Sequence, residues 1–337
     1  MTSPSGTPLA GRKVLVTGAD GFIGSHLVER LLADDADVRA LCLYNSNGSA
    51  GWLDELPLAE QDRIDIRFGD IRDAEFVRDV TAEVEVVFHL AALIAIPYSY
   101  DAPRSFVETN VLGTLNVLEA VRTGGSVTRM VHTSTSEVYG TPDQIPIRET
   151  HPLRAQSPYS ATKIAADKLC ESYALSFETP VVILRPFNTY GPRQSARAVI
   201  TTILQQLLAG VDEVHLGALS PRRDFTFVTD TCDGFVRAAT APLEPGEMVQ
   251  LGTGRTVSIG ELFEVCCKVT GSSARVVTDE DRKRPERSEV QVLQSDPTRA
   301  ADKLGWRPTV SLEEGLAAVA AWLAPRVDPA RVGRYQR

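Results

Sequence analysis

Residues 13–26 read KVLVTGADGFIGSH, and the spacing of the glycines in this stretch decides the fold. KVLVTG (13–18) is a short apolar run closed by Gly18. From Phe22 onward the apolar residues Ile23, Leu27, Leu31 and Leu32 recur at helical spacing. Gly18, Gly21 and Gly24 therefore fall between a strand and a helix in the order GxxGxxG. Without a Cβ the backbone there approaches a pyrophosphate closely, and the phosphates rest on the positive end of the helix dipole. A glycine triplet alone is weak, because turn glycines also explain it. Its place directly after the first strand points to a dinucleotide.

The same rhythm continues outward. DVRALCLY (37–44), IDIRF (64–68), VEVVFHLA (84–91), VTRMVHTST (127–135) and PVVILRPF (180–187) read as buried strands, and helical stretches occupy 73–80, 104–122 and 158–178. Such alternation predicts an α/β fold, a Rossmann-type doubly wound parallel sheet with helices on both faces. After about residue 190 the chain becomes turn-rich, with short elements. The expected organisation is a disordered leader (1–11), a NAD(P)-binding domain (12–190) and a smaller α/β substrate domain (191–330). Phe225–Thr229 and Met248–Leu251 are candidates to return to the main sheet.

Composition narrows the partners. A net charge of -9 argues against a general nucleic-acid binder, since phosphate backbones reward clustered Lys and Arg. The five cysteines show no CxxC pair and no His at metal spacing, so no metal is expected and free thiols in a reducing cytoplasm are the reading. No stretch reaches the roughly 18–20 apolar residues of a membrane span, and the polar start MTSPSGTPLAGRK lacks a signal-peptide core.

At the end of the second strand, where an acid normally binds the adenosine ribose and favours NAD, stand Cys42, Leu43, Tyr44, Asn45 and Ser46. No Arg pair for a 2′-phosphate is evident either, so NADP is not excluded. Asp70 and Ile71 in FGDIRD follow the third strand, where they flank the adenine or simply form a turn.

The chemistry concentrates in two segments. YSATK places Tyr159 and Lys163 four residues apart on one helix face, so an ammonium sits beside a phenol and favours its phenolate. That makes Tyr159 a candidate base for an alcohol proton. STSEVYG (134–140) adds Thr135, Ser136 and Glu137, and a carboxylate beside such a site is not ordinary.

TGADGFIGSH, GDIRD, FHLAA, NVLGTLNVLEA, STSEVYG, YSATK, RPFNTYGPR, RRDFTFV and DPTRAADKLGW together resemble the extended short-chain dehydrogenases/reductases that act as nucleotide-sugar epimerases and dehydratases. Within that family ALIAIPYSY, STSEVYG and RPFNTYGPRQSARAVI look most like UDP-N-acetylglucosamine 4,6-dehydratases of legionaminic-acid-type pathways. The resemblance implies NAD as cofactor, held by Gly18, Gly21, Phe22, Ile23, Gly24, Asp70, Ile71, Ala91, Tyr159 and Lys163, and a homodimer. It implies a UDP-sugar near Ile94, Tyr98, Asn188, Arg193, Val199, Ile200, Arg223 and Arg284, with Asn110 as support behind the site.

It also implies a task for Glu137. A ketone at C4 of a hexose acidifies the C5 proton, and a carboxylate there removes it before water leaves from C6. The dTDP-glucose dehydratases carry Asp before this Glu, whereas this chain has Ser136, so Glu137 shuttles the proton with Ser136 or water assisting. The function expected is a nucleotide-sugar 4,6-dehydratase. UDP-glucuronate decarboxylase and 4-epimerase are the alternatives within the enzymes. A silent dinucleotide sensor is the alternative of another class, although sensors typically lose the Tyr or Lys kept here.

Overall fold

In the computed structural model, which describes residues 9–282 and 285–329, the strand-forming runs join one parallel sheet. Its strands are β1 (Lys13–Thr17), β2 (Asp37–Leu43), β3 (Ile64–Gly69), β4 (Val86–His89), β5 (Arg129–Thr133), β6 (Val181–Pro186) and β7 (Met248–Leu251). They lie in the order β7-β6-β5-β4-β1-β2-β3. β1 pairs on one side with β2 (Val14 opposite Val38) and on the other with β4 (Val14 opposite Val86). The strand order therefore reverses beside β1, and the crevice at the carboxyl ends of β1 and β4 is where such sheets bind ligands. The interior strands are apolar and buried on both faces, as helices packed on each side require.

The helices that matter for the site are α1 (Phe22–Ala33), α2 (Ala74–Thr81), α3 (Gly113–Gly124) and α4 (Pro158–Phe177). α4 starts where it does because Pro158 fits the first turn and Ser157 and Ser160 form a reciprocal capping box. That start sets Tyr159 and Lys163 on the first turns of the helix. The single helix expected over 104–122 is interrupted: a short helix (Pro103–Phe106) runs into a π-helical stretch (Val107–Leu112) before α3. The widened turn carries Asn110, which bonds outside the helix instead of only within it.

Met248–Leu251 returns to the main sheet as β7, as expected, but Phe225–Thr229 does not. Phe225–Phe227 pairs with Asn188–Tyr190 in a separate two-stranded sheet, and the chain is helical from Val228. Two buried carboxylates pin this segment. Asp224 accepts from the backbone N–H groups of Thr253, Gly254 and Ser295, and Asp230 from those of Thr309 and Val310. The helices beyond residue 190 are also longer than expected, with 13 residues in Val228–Thr240 and 12 in each of Ile259–Thr270 and Leu312–Leu323.

One hydrophobic core runs from Leu9 through β1 and β6 to Trp306 and Leu323. Leu9 is fully buried and Gly11 N donates to Asp35 O at 2.8 Å, so residues 9–11 of the expected leader are packed. Residues 1–8 lie outside the described residues. Among the described residues no helix is long and apolar enough to cross a membrane, and no His, Cys, Asp or Glu cluster has the makings of a metal site.

Candidate active site

The glycine loop closes over the reversal point of the sheet. Gly18 adopts φ +69°, and a Cβ on it would lie 2.9 Å from the backbone of Ala91, which follows β4. A Cβ on Gly24 would lie 2.1 Å from the carbonyl oxygen of Gly18. Only glycine allows this packing, and it leaves a bare backbone cradle at the N-terminus of α1. No side chain caps that terminus, whose N-cap is Gly21, and no acid occupies its first turn. An uncapped, positive helix end behind a glycine cradle fits a pyrophosphate. Phe22 and Ile23 begin the helix and are half-buried.

A buried hydrogen-bond chain ties this loop to α4. Thr17 Oγ1 accepts from Leu90 N and Ala91 N, both at 3.1 Å, so its own proton goes to His89 Nδ1 at 2.8 Å. His89 is therefore the Nε2–H tautomer and donates to Thr114 Oγ1 at 3.0 Å, which donates in turn to Asn110 O. Asn110 holds both backbone groups of Leu93 and donates to Thr162 Oγ1, which donates to Tyr159 O. The cradle, the loop carrying Ile94 and the helix carrying Tyr159 thus share one buried polar frame.

Thr135 N-caps a single 3-10 turn, Ser136–Tyr139, its hydroxyl accepting from Glu137 N at 3.3 Å. Ser136 is buried, whereas Glu137 is half-buried. The Glu137 side chain takes no part in the cap and has no hydrogen-bond or ion-pair partner among the described residues. Its negative charge is nonetheless close enough to act on Tyr159.

Lys163 was expected to lower the Tyr159 pKa. Here burial dominates and pushes the phenol up, with the Thr135 hydroxyl pulling it down and the Glu137 charge adding to the rise. Lys163 is itself buried and donates to Thr133 O at 2.6 Å. Burial lowers its pKa, and the Asp167 carboxylate opposes that.

Asp167 heads a cluster that the sequence reading passed over. It is fully buried on α4 and accepts from Ser134 Oγ at 2.7 Å and from Arg185 Nη2 at 2.6 Å. His132 Nε2 lies 3.5 Å from its other oxygen. Arg185 projects from β6 over the Tyr139 ring, 4.7 Å from the centroid. Burial alone would raise the Asp167 pKa, but Arg185, His132 and Ser134 outweigh it and hold the carboxyl far below its usual range. The signal was present as Tyr159, Lys163 and Asp167 at i, i+4 and i+8 of one helix face, with an Arg inside an apolar strand.

This cluster makes stability depend on pH. Burial, then the Lys163 charge, brings the His132 pKa down to about 4 from an ordinary 6.5. Between those values the unfolded chain holds the extra proton, so native stability falls on acidification from pH 6.5 to pH 4. The loss from this group is on the order of 3 kcal/mol. Urea midpoints measured across that range should fall steadily in the wild type and less in His132→Asn. An equal slope in both would remove His132 from the account.

The other expected contacts divide. Asp70 is taken by Arg72 Nε at 2.9 Å, and Ile71 is buried against Gly113. Asn188 presents a buried Oδ1 without a hydrogen-bond partner among the described residues. Arg193 is bound to Glu29 (2.7 and 3.1 Å) and Ser25 on α1, and Arg223 to Glu289 (2.8 Å) and Val290 O (2.7 Å). Neither guanidinium is open in this state. Arg284 lies outside the described residues. Val199 is half-buried at the start of its helix, but Ile200 points into the core. Ile94 is 63% exposed, and Tyr98 stacks toward Phe106, whose ring packs against Tyr159.

The GDP-mannose 4,6 dehydratase family model matches residues 15–319. The chain is 38% identical to a UDP-glucose 4-epimerase of Mycolicibacterium smegmatis, covering 90% of this chain and 96% of that protein. It is 34% identical to a dTDP-glucose 4,6-dehydratase of Actinoplanes sp., covering 92% and 97%. A UDP-glucuronic acid 4-epimerase from Bacillus cereus, solved in complex with UDP-glucuronic acid and NAD, superposes with a TM-score of 0.84 at 29% identity, covering 93% of this chain and 99% of that one. With its glycine cradle, its Tyr159–Lys163 pair and a family model matched over nearly its whole length, the chain belongs to the extended short-chain dehydrogenase/reductase family of nucleotide-sugar dehydratases and epimerases.

Proposed function

We propose that the protein is a NAD-dependent nucleotide-sugar 4,6-dehydratase acting on UDP-N-acetylglucosamine or another UDP-hexose. The observation that carries this reading is the Glu137 carboxylate, half-buried beside Tyr159 and used by no other residue. Hydride exchange at C4 alone needs no such group. Removal of the C5 proton does.

NAD, held by the glycine cradle at the N-terminus of α1, would supply the hydride chemistry at C4 and C6. Tyr159 takes the O4 proton, the Thr135 hydroxyl favours its phenolate, and Lys163 stands as the cation one turn along. Burial keeps Tyr159 a phenol in the free protein, so its base form requires added positive charge beside it. Glu137 then removes the proton from C5, acidified by the C4 ketone, and passes it to the C6 hydroxyl, which leaves as water; as C6 receives the hydride, C5 takes a proton from solvent and Tyr159 releases the O4 proton. Ser136, buried at the foot of the same turn, assists that transfer. The product is a 4-keto-6-deoxy sugar nucleotide, lighter than the substrate by one water. Asn188, whose buried Oδ1 has no partner among the described residues, is the residue we assign to accept from a donor of the substrate.

A 4-epimerase is the second reading, favoured by the 38% identity to an enzyme of that name. Mass spectrometry of reactions with UDP-N-acetylglucosamine, UDP-glucose and UDP-glucuronate separates the readings. Loss of water supports the dehydratase, an isomer of unchanged mass supports the epimerase, and loss of carbon dioxide from UDP-glucuronate alone makes the protein a decarboxylase.

The quaternary state we propose is a homodimer. Val107, Leu112, Leu175 and Phe177 leave apolar surface exposed on the π-helical stretch and α4, which a second copy would cover. Light scattering that returned the mass of one chain would dismiss it.

A further inference from the structure

We infer that Asp20, in the glycine loop, replaces the acid missing from the end of β2: its carboxylate receives the adenosine ribose hydroxyls and turns away a 2′-phosphate, so that the protein selects NAD over NADP. The inference rests on the dinucleotide reading of the cradle and not on the sugar reaction.

Geometry brings Asp20 to the right place. Gly18 N and Ala19 N donate to Leu41 O at 3.0 and 3.2 Å, so the loop lies across the end of β2. Asp20 Oδ2 accepts from Leu43 N at 3.4 Å, a long bond that leaves most of its acceptor capacity free. The main chain of Asp20 is fixed from behind. Its carbonyl accepts from Trp52 N at 3.2 Å, and a Cβ on Gly51 would lie 2.5 Å from that oxygen.

The strand end itself offers nothing equivalent. Cys42 is buried, and Leu43 and Tyr44 are 55% and 71% exposed without a charged group between them. Asn45 is the residue there that could best replace an acid, but both ends of its amide are already committed. Its Nδ2 donates to Leu43 O and Ser49 O, and its Oδ1 accepts from Asn47 N and Ser49 N. It builds the loop and leaves no group for a ribose.

Charge completes the case. Asp54, whose carboxylate accepts from Ser49 Oγ at 2.7 Å and Ala50 N at 3.2 Å, adds a second negative charge near Cys42. Burial, then the charges of Asp20 and Asp54, push the Cys42 thiol up to about 12. The guanidinium groups along β2, β3 and the turn after them are each held by a carboxylate: Arg39 and Arg67 by Asp65, and Arg72 by Asp70. A ribose diol donates to a carboxylate and is welcome there. A 2′-phosphate would meet Asp20 and Asp54, while the guanidinium groups of Arg39, Arg67 and Arg72 are already committed.

The test is an equilibrium titration of the full-length protein, stripped of nucleotide, with NADH, NADPH and 2′-deoxy-NADH, followed by nicotinamide fluorescence. The wild type should bind NADH about tenfold or more tightly than either of the others, as loss of a charged hydrogen bond implies. Asp20→Ala should bind NADH and the 2′-deoxy analogue alike, and Asp20→Asn should gain affinity for NADPH. Two results would overturn the inference. One is a wild type that binds NADPH or 2′-deoxy-NADH as tightly as NADH, which needs no variant to be measured. The other is an Asp20→Ala variant that loses affinity for all three equally. Either leaves the dehydratase reading standing, because no sugar is present, whereas no binding of any nucleotide would remove the dinucleotide reading itself.

Discussion

Tyr159→Phe should lower kcat by about a thousandfold, within the usual range for removal of a general acid–base group, while leaving nucleotide affinity almost unchanged. The substitution keeps the ring, which is buried and packs edge-on against Phe106 with centroids 6.2 Å apart, so the fold has no reason to respond. What disappears is the hydroxyl whose pKa the Thr135 hydroxyl pulls down. Steady-state rates with the substrate identified above, beside a nucleotide titration, separate the two effects. A variant with more than about a tenth of wild-type turnover would show that the phenol is not the proton acceptor at O4.

Glu137→Gln should be as damaging to product formation, by about a hundred- to ten-thousandfold, but in a different way. Oxidation at C4 depends on Tyr159 and survives, so the absorbance of reduced nicotinamide should appear on mixing with substrate and persist. The carboxylate has no bonding partner among the described residues, so stability should move by less than about 0.5 kcal/mol, as for a surface change. A 4-epimerase would tolerate the same substitution with turnover intact. The variant thus separates the two named activities among the relatives, which sequence identity alone leaves mixed.

Much of the fold was legible because its signals are local. α1 spans the residues of its apolar spacing, and β1, β2 and β6 fall where the apolar runs predict. The departures come from long-range contacts. Phe225–Phe227 leaves the main sheet because Asp224 and Asp230 are held by residues up to 80 positions away. Local pattern carries no trace of those partners.

The site divides in the same way. Thr135, Glu137, Tyr159 and Lys163 are found from two short motifs and meet in space. Arg193 and Arg223 were placed near the sugar nucleotide from their motifs, and the structure shows each paired with a carboxylate, which only tertiary packing decides. The Tyr159 pKa was expected to fall because a cation lies one turn away. It rises because Tyr159 is buried, a property that sequence spacing does not report. Asp20 was passed over because the ribose acid was sought on β2, whereas the loop after β1 supplies a carboxylate to the same place.

The measurement to make first is the reaction of the wild-type protein with UDP-N-acetylglucosamine in deuterated water, with the position of any label read by mass spectrometry and NMR. If Glu137 removes the C5 proton, the product has lost one water and carries one solvent deuterium at C5, with the original C4 hydrogen in the C6 methyl group. A product of unchanged mass with no deuterium on carbon would mean that the C5 bond is never broken, and would contradict the role given to Glu137.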